Sequence, residues 1–233
     1  MLRCQKGVVK AELNGGTPIG ILGGTGPEGR GLGLRFAFAG ERVVLGSRDA
    51  GRGRDAADSL APVLAGAGGR VEGATNAECA RQCGLIVLAV PYAGQAALLR
   101  ELGQDLAGKV MVSVVAPLAF VDGRARATPP NSGSAAEEAA AMVPTARWVA
   151  GFHTLPARDL LRPANRMDTD ALVCGDDPDA KRDVMQLAGK IPGLRAVDAG
   201  PLECARYLEA ATALLININR IYRAHGSLRI AGI

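Results

Sequence analysis

The feature that most constrains this chain is a glycine cluster, Gly23-Gly-Thr-Gly-Pro-Glu-Gly29, set between a short apolar run and a helical pattern. Pro18-Ile-Gly-Ile-Leu22 precedes it, and Gly31-Leu-Gly-Leu-Arg-Phe-Ala-Phe-Ala39 follows with its apolar residues at helical spacing. Gly24-Thr-Gly-Pro-Glu-Gly29 therefore fits G-x-G-x-x-G in the context that gives the motif meaning, a strand before it and a helix after it. The expected mechanics assign Gly24 to a tight turn, Gly26 to close approach of the backbone to a pyrophosphate, and Gly29 to packing of helix on strand. The unpaired N–H groups of the helix N-terminus face the phosphates. Glu28 sits inside this turn, and its charge requires the side chain to point away from a pyrophosphate.

Strands and helices then alternate. Arg42 to Gly46 reads as a strand, Asp49 to Gly68 as its Ala-rich crossover helix, and Val71 to Ala74 as a third strand. Asn76 is placed to cap a helix running to Cys83. Leu85 to Val90 and Val110 to Val115 lack alternation, as expected of parallel strands covered on both faces, with a helix from Gln95 to Leu102 between them. From Pro117 to Ser134 the chain carries three prolines and two glycines without an apolar period, which predicts a long loop, either a lid or a plain surface excursion. Beyond it come helices at 135–142 and 178–188, strands at 147–152, 171–174 and 196–198, and a long apolar helical segment at 202–223. Its apolar spacing requires burial, in a subunit interface or against the nucleotide domain.

The pattern gives a Rossmann-like α/β fold, a doubly wound and mainly parallel sheet with a small C-terminal α/β domain. The expected division is a polar leader at 1–17, a dinucleotide-binding domain at 18–145, and a C-terminal domain at 146–233 that completes a cleft.

At the tip of the second strand, where an NAD-binding chain places an acidic residue, this one has Gly46-Ser-Arg48. A hydroxyl and a guanidinium suit a 2′-phosphate, and Arg52 lies within reach of the same group, so NADP is expected over NAD. The competing account makes Arg48 and Arg52 solvated charges paired with Asp49 and Asp55.

Composition excludes several classes. The net charge is only +4, from 27 basic and 23 acidic residues spread along the chain, and aromatic residues are 3% of the total. Neither a basic stripe nor a stacking platform for nucleic acid is present. The five cysteines, at positions 4, 79, 83, 174 and 204, form no C-x-x-C pair, so no metal site or disulfide framework is expected. Cys79 and Cys83 read as a half-buried helix stripe. No apolar run reaches the roughly 20 residues of a membrane span, and a cytoplasmic location is expected.

Together, Gly23-Gly-Thr-Gly26, Gly46-Ser-Arg48, Ala89-Val-Pro91, Phe152-His-Thr154, Val173-Cys-Gly-Asp-Asp177 and Asp198-Ala-Gly-Pro-Leu202 resemble the NADPH-dependent coenzyme F-420 reductases, or 8-hydroxy-5-deazaflavin:NADP oxidoreductases. The resemblance runs from about Pro18 to the C-terminus. It implies hydride exchange between NADP(H) and coenzyme F-420, with the deazaflavin lying over the nicotinamide. Carried over by residue, it implies NADP contacts at Thr25, Gly26, Pro27, Glu28, Ser47, Arg48 and Arg52, with Ala89 and Pro91 bordering the nicotinamide. It further implies that His153 and Leu155 lie beside the stacked rings, His153 orienting the deazaflavin and stabilising charge that develops on it, and that Leu228 makes an apolar contact. A His at a strand end is, on its own, more often a hydrogen-bonded structural residue than a catalyst. The chain departs from the family pattern at Val114 and at Pro27-Glu28.

Hydride transfer between two bound rings needs no nucleophile and no metal, because the cofactors carry the chemistry and the protein supplies proximity. The sequence agrees, with no triad pattern and no H-E-x-x-H. Two other readings stay open: an NADP-dependent reductase of small imines, and a non-catalytic NADP sensor. A homodimer is expected from the apolar terminal helix.

Overall fold

The computed structural model of the chain describes residues 16–233, so the first fifteen residues of the expected leader, Cys4 among them, lie outside the described residues. Nine elements make up the first half: β1 (Ile19–Leu22), α1 (Pro27–Phe38), β2 (Arg42–Ser47), α2 (Ala50–Asp58), β3 (Arg70–Thr75), α3 (Asn76–Gln82), β4 (Leu85–Leu88), α4 (Tyr92–Leu102) and β5 (Val110–Ser113). The second half contains β6 (Leu118–Val121), β7 (Arg124–Ala127), α5 (Ala135–Met142), β8 (Arg147–Gly151), α6 (Ala157–Leu160), β9 (Thr169–Gly175), α7 (Pro178–Gly189), β10 (Leu194–Asp198) and α8 (Ala205–Tyr222). One eight-stranded sheet runs β10-β9-β8-β5-β4-β1-β2-β3. Every pairing in it is parallel except β8 with β9. The boundary expected at 145/146 falls just before β8, and β8, β9 and β10 extend the same sheet.

Side-chain alternation along the central strands feeds two cores. Ile19 and Ile21, Val43 and Leu45, and Leu85 and Val87 pack with Leu32, Phe36 and Val184 of α1 and α7 on one face. Leu22, Val44, Ile86, Leu88 and Met111 pack with Cys79, Leu99, Ala136 and Leu208 of α3, α4, α5 and α8 on the other. Each fully buried aliphatic side chain contributes about 1.5–3 kcal/mol, and a one-residue slip would exchange the two faces of a strand. That double coverage is why these strands carry unbroken apolar runs.

Three local expectations are corrected. The crossover helix ends at Asp58, ten residues short of Gly68, because Pro62 clashes with continued helix and Gly66 takes a positive φ of 84°. The cap of α3 is Thr75 rather than Asn76: its hydroxyl accepts from the Glu78 N–H at 3.1 Å while Glu78 accepts from the Thr75 N–H at 2.9 Å. The segment from Pro117 to Ser134 is no open loop, since β6 and β7 form an antiparallel hairpin inside it. Asp122 and Gly123, both at positive φ, make its turn, and Asn217 of α8 bonds both the N–H and the C=O of Ala125 at 2.9 Å.

Candidate functional site

The C-terminal ends of β1, β2, β4, β5 and β8 all open on one edge of the sheet, and the chain leaves β1 and β4 toward opposite sides there. Such a switch point is where open α/β sheets place ligands. Gly23, at φ 74°, makes the left-handed turn out of β1, so the tight turn expected of Gly24 belongs to its neighbour. Gly24 instead donates its N–H to the Gly46 carbonyl at 2.9 Å, tying the turn to β2. A Cβ on Gly29 would lie 2.9 Å from the Gly24 Cα, so only glycine lets α1 settle this closely on the turn. Pro27, exposed at the first helical position, presets φ for the helix and has no N–H to offer.

Two cavities flank this turn. The first, about 520 Å³, is lined by Gly23, Thr25 and Gly26 of the turn and by Ser47, Arg48 and Arg52 beyond β2. Ala89 and Pro91, after β4, close its far side. A Cβ on Gly26 would meet nothing closer than the Gly23 carbonyl at 3.8 Å, so the space over that backbone is open to a ligand. Among the described residues neither Arg48 nor Arg52 pairs with a carboxylate. Asp49 instead caps α2, accepting from the Arg52 N–H at 2.9 Å. Both guanidiniums are exposed on the rim of a cavity whose floor is the glycine turn at the start of α1, a fit to a phosphorylated dinucleotide. Asn76 also lines this cavity and accepts from the Gly23 N–H at 3.2 Å, fixing the turn. Its contact spans 53 positions, beyond the reach of any local pattern.

The second cavity, about 670 Å³, lies under the end of β8 and is lined by Glu28, Val114, His153, Thr154, Leu155 and residues of α6 and α8. Phe152, at φ 66°, holds a conformation that costs a non-glycine residue energy. Its ring is locked edge-on against Phe36, centroids 5.9 Å apart, and the turn brings His153 to the cavity. His153 is buried, with Nε2 3.2 Å from the Val115 carbonyl. Burial lowers its pKa to about 4, so the ring is neutral. A neutral imidazole facing a carbonyl through Nε2 carries its proton there, which leaves Nδ1 a bare acceptor. Nδ1 has no partner among the described residues.

The wall formed by 157–165 is held from a distance. Arg35, fully buried on α1, donates to the carbonyls of Asp159, Leu160, Arg162, Pro163 and Asn165 at 2.5–3.1 Å. Nothing in the local pattern of α1 singles Arg35 out, because its partners lie more than 120 positions away.

The structure thus separates the expected site residues. Gly24 and Gly29 are packing residues beneath the turn. Glu28, expected among contacts to the first ligand, points away from that cavity and lines the second. Leu228 lines neither: its carbonyl accepts from the Asp170 N–H at 3.0 Å and the Thr169 hydroxyl at 2.7 Å, strapping the C-terminal segment to β9. No group of His, Cys, Asp and Glu able to hold a metal occurs among the described residues, and none of the described helices is long and apolar enough to cross a membrane.

Residues 18–117 match the model of a family described as NADP oxidoreductase coenzyme F420-dependent. The chain is 40% identical over 205 residues to the F420-dependent NADP reductase of Methanothermobacter marburgensis, a match covering 86% of this chain and 92% of that relative. It is 36% identical over 213 residues to the F420-dependent NADP reductase of Methanocaldococcus jannaschii, covering 90% and 95%. Among solved structures, a protein of Arthrobacter sp. FB24 proposed to be an F420-dependent NADP-reductase superposes with a TM-score of 0.79 at 27% identity, covering 93% of this chain and 100% of that one.

Proposed function

The chain belongs to the coenzyme F420-dependent NADP oxidoreductases, and from that premise we propose which of its residues carry out hydride transfer between NADPH and coenzyme F420. The observation that carries the assignment is the pair of cavities on either side of one helix N-terminus, one rimmed by unpaired guanidiniums and the other holding the buried, neutral His153 and Glu28. With both coenzymes bound, the nicotinamide supplies a hydride and the deazaflavin takes it up.

The protein's part is position. Thr25 and Gly26 offer backbone to the pyrophosphate, Ser47, Arg48 and Arg52 hold the 2′-phosphate, and Ala89 and Pro91 border the nicotinamide. The second cavity takes the deazaflavin ring, with Leu155 as an apolar wall. His153 orients the ring as an acceptor through Nδ1. Being neutral and already donating through Nε2, it does not supply the positive partner for developing charge that the resemblance implied. The segments 18–145 and 146–233 act as a dinucleotide half and a half that completes the second cavity.

The assembly we propose is a homodimer built on α8, whose exposed Tyr207, Leu214 and Ile221 recur every seven residues beside exposed Phe120. The location we propose is the cytoplasm, in keeping with Cys79, Cys83, Cys174 and Cys204 standing free. Mixing the protein with NADPH and oxidised F420 tests the function: the oxidised deazaflavin band should bleach. Turnover of a small imine without deazaflavin, or tight NADPH binding with no bleaching, would overturn it.

A further inference from the structure

Three side chains lining the second cavity each carry a buried polar atom without a partner among the described residues: Glu28 Oε1, His153 Nδ1 and Thr154 Oγ1. One unpaired buried polar atom costs the fold about 1–3 kcal/mol, and three on one cavity wall are the mark of a surface completed by a ligand. Their chemistry differs. His153 Nδ1 accepts only, Thr154 can donate or accept, and Glu28 donates only when protonated.

Glu28 stands at the second position of α1, beside the turn that backs the first cavity. The residue keeps some surface, but its Oε1 is closed to solvent. Burial raises its pKa to about 8, with no cation offsetting the cost. At neutral pH the group is a carboxylic acid. Among the described residues it is also the only carboxylate residue on this cavity, whose other titratable or charged residues are His153, Arg158, Arg223 and His225; His225 faces Asp159 at 3.2 Å.

The pyrimidine edge of a deazaflavin presents carbonyl, N–H, carbonyl in sequence. A wall that offers one obligate acceptor together with potential donors has the groups to complement that edge. We propose that Glu28, as the neutral acid, is a specificity-determining hydrogen-bond donor to a pyrimidine carbonyl of the deazaflavin, flanking the ring N–H received by His153 Nδ1. The proposal rests on the second cavity being the deazaflavin site. A neutral donor there also favours the negative charge that hydride uptake places on the pyrimidine edge, whereas a carboxylate would oppose it.

Steady-state kinetics with the full chain, varying F420 and NADPH separately, tests this. Glu28→Leu should raise KM for F420 about tenfold, the effect of one good hydrogen bond, and leave KM for NADPH within about twofold. Glu28→Gln retains N–H donors and should restore KM for F420 to within about threefold of the original. In the unsubstituted enzyme KM for F420 should climb above pH 8 as the carboxyl ionises. The Gln variant, which keeps Arg158, Arg223, His153 and His225, should lack that climb. An unchanged KM for F420 in the Leu variant, or a rise confined to NADPH, would overturn the role of Glu28 and leave the cavity assignment standing. Should the Leu variant fail to fold, fluorescence titration of the Gln variant with F420 at pH 7 and 9 decides, a pH dependence equal to that of the unsubstituted protein counting against the proposal. Failure of the unsubstituted protein to bind F420 would remove the cavity assignment and this proposal with it.

Discussion

The two cavities flank one turn yet present different chemistry to a ligand. Around the first, the glycine turn supplies backbone, and Arg48 and Arg52 stand exposed at the rim, where full charges meet a phosphate without being drawn out of water. Around the second, the two buried ionisable side chains are neutral, His153 having lost its proton and Glu28 having kept one, while Arg158 and Arg223 stand exposed at its edge. Burial makes a full charge expensive and a directed neutral hydrogen bond worth more. On the proposed assignment, charge at the rim selects the phosphate-bearing partner and directed neutral hydrogen bonds orient the planar ring.

The strongest way to separate the two regions is Arg35→Leu. Five carbonyls of 159–165 would lose their donor, costing on the order of 4 kcal/mol in denaturant unfolding. In the folded fraction, affinity for the deazaflavin should collapse while NADPH binding largely survives. Equal loss at both cavities would show that they are not independently supported.

Next comes Glu28→Gln, read as stability against pH. The folded-state pKa of about 8 exceeds the ordinary 4.5. Stability is therefore full below pH 4.5 and drains away as pH rises through 8, because only the unfolded chain ionises freely in between. The Gln variant should match the original at pH 4.5 and exceed it by roughly 3 kcal/mol at pH 7, at about 1.4 kcal/mol per pH unit. A constant difference across that range would place the carboxylate in contact with water.

Arg48→Ala probes the charged side. Losing a charge-assisted contact of about 1.5–3 kcal/mol should weaken NADPH binding roughly 10- to 100-fold and leave NADH binding nearly untouched; equal weakening of both would mean the guanidinium does not hold the 2′-phosphate. The smallest effect is expected for Gly26→Ala. Its methyl meets no protein atom closer than 3.8 Å, so the melting temperature should hardly move, but NADPH affinity should fall about fivefold as the methyl enters space meant for phosphate. A drop in stability without a drop in affinity would reverse that reading.

Much of this was legible in the chain because it is local. Strand alternation, unbroken apolar runs and the glycine turn each reside within a dozen residues, and they give the alternating α/β order and the first cavity. The hairpin and the cap of α3 also have local signals, Asp122-Gly123 as a turn pair and Thr75 with Glu78 as a capping box. Other features had no local signal. Arg35 reaches carbonyls more than 120 positions away, and Asn76 reaches Gly23 across 53.

The sequence by itself determined the sheet, the glycine turn and the arginines at the rim of the first cavity, since each follows from period, conformational freedom or charge over short spans. Only the tertiary structure decided that Glu28 leaves its own motif for the second cavity, that Leu228 lies outside it, and that His153 presents a lone pair rather than a proton. Those outcomes depend on burial and on which carbonyl an imidazole meets, and both are set when β5, β8 and α1 are brought together.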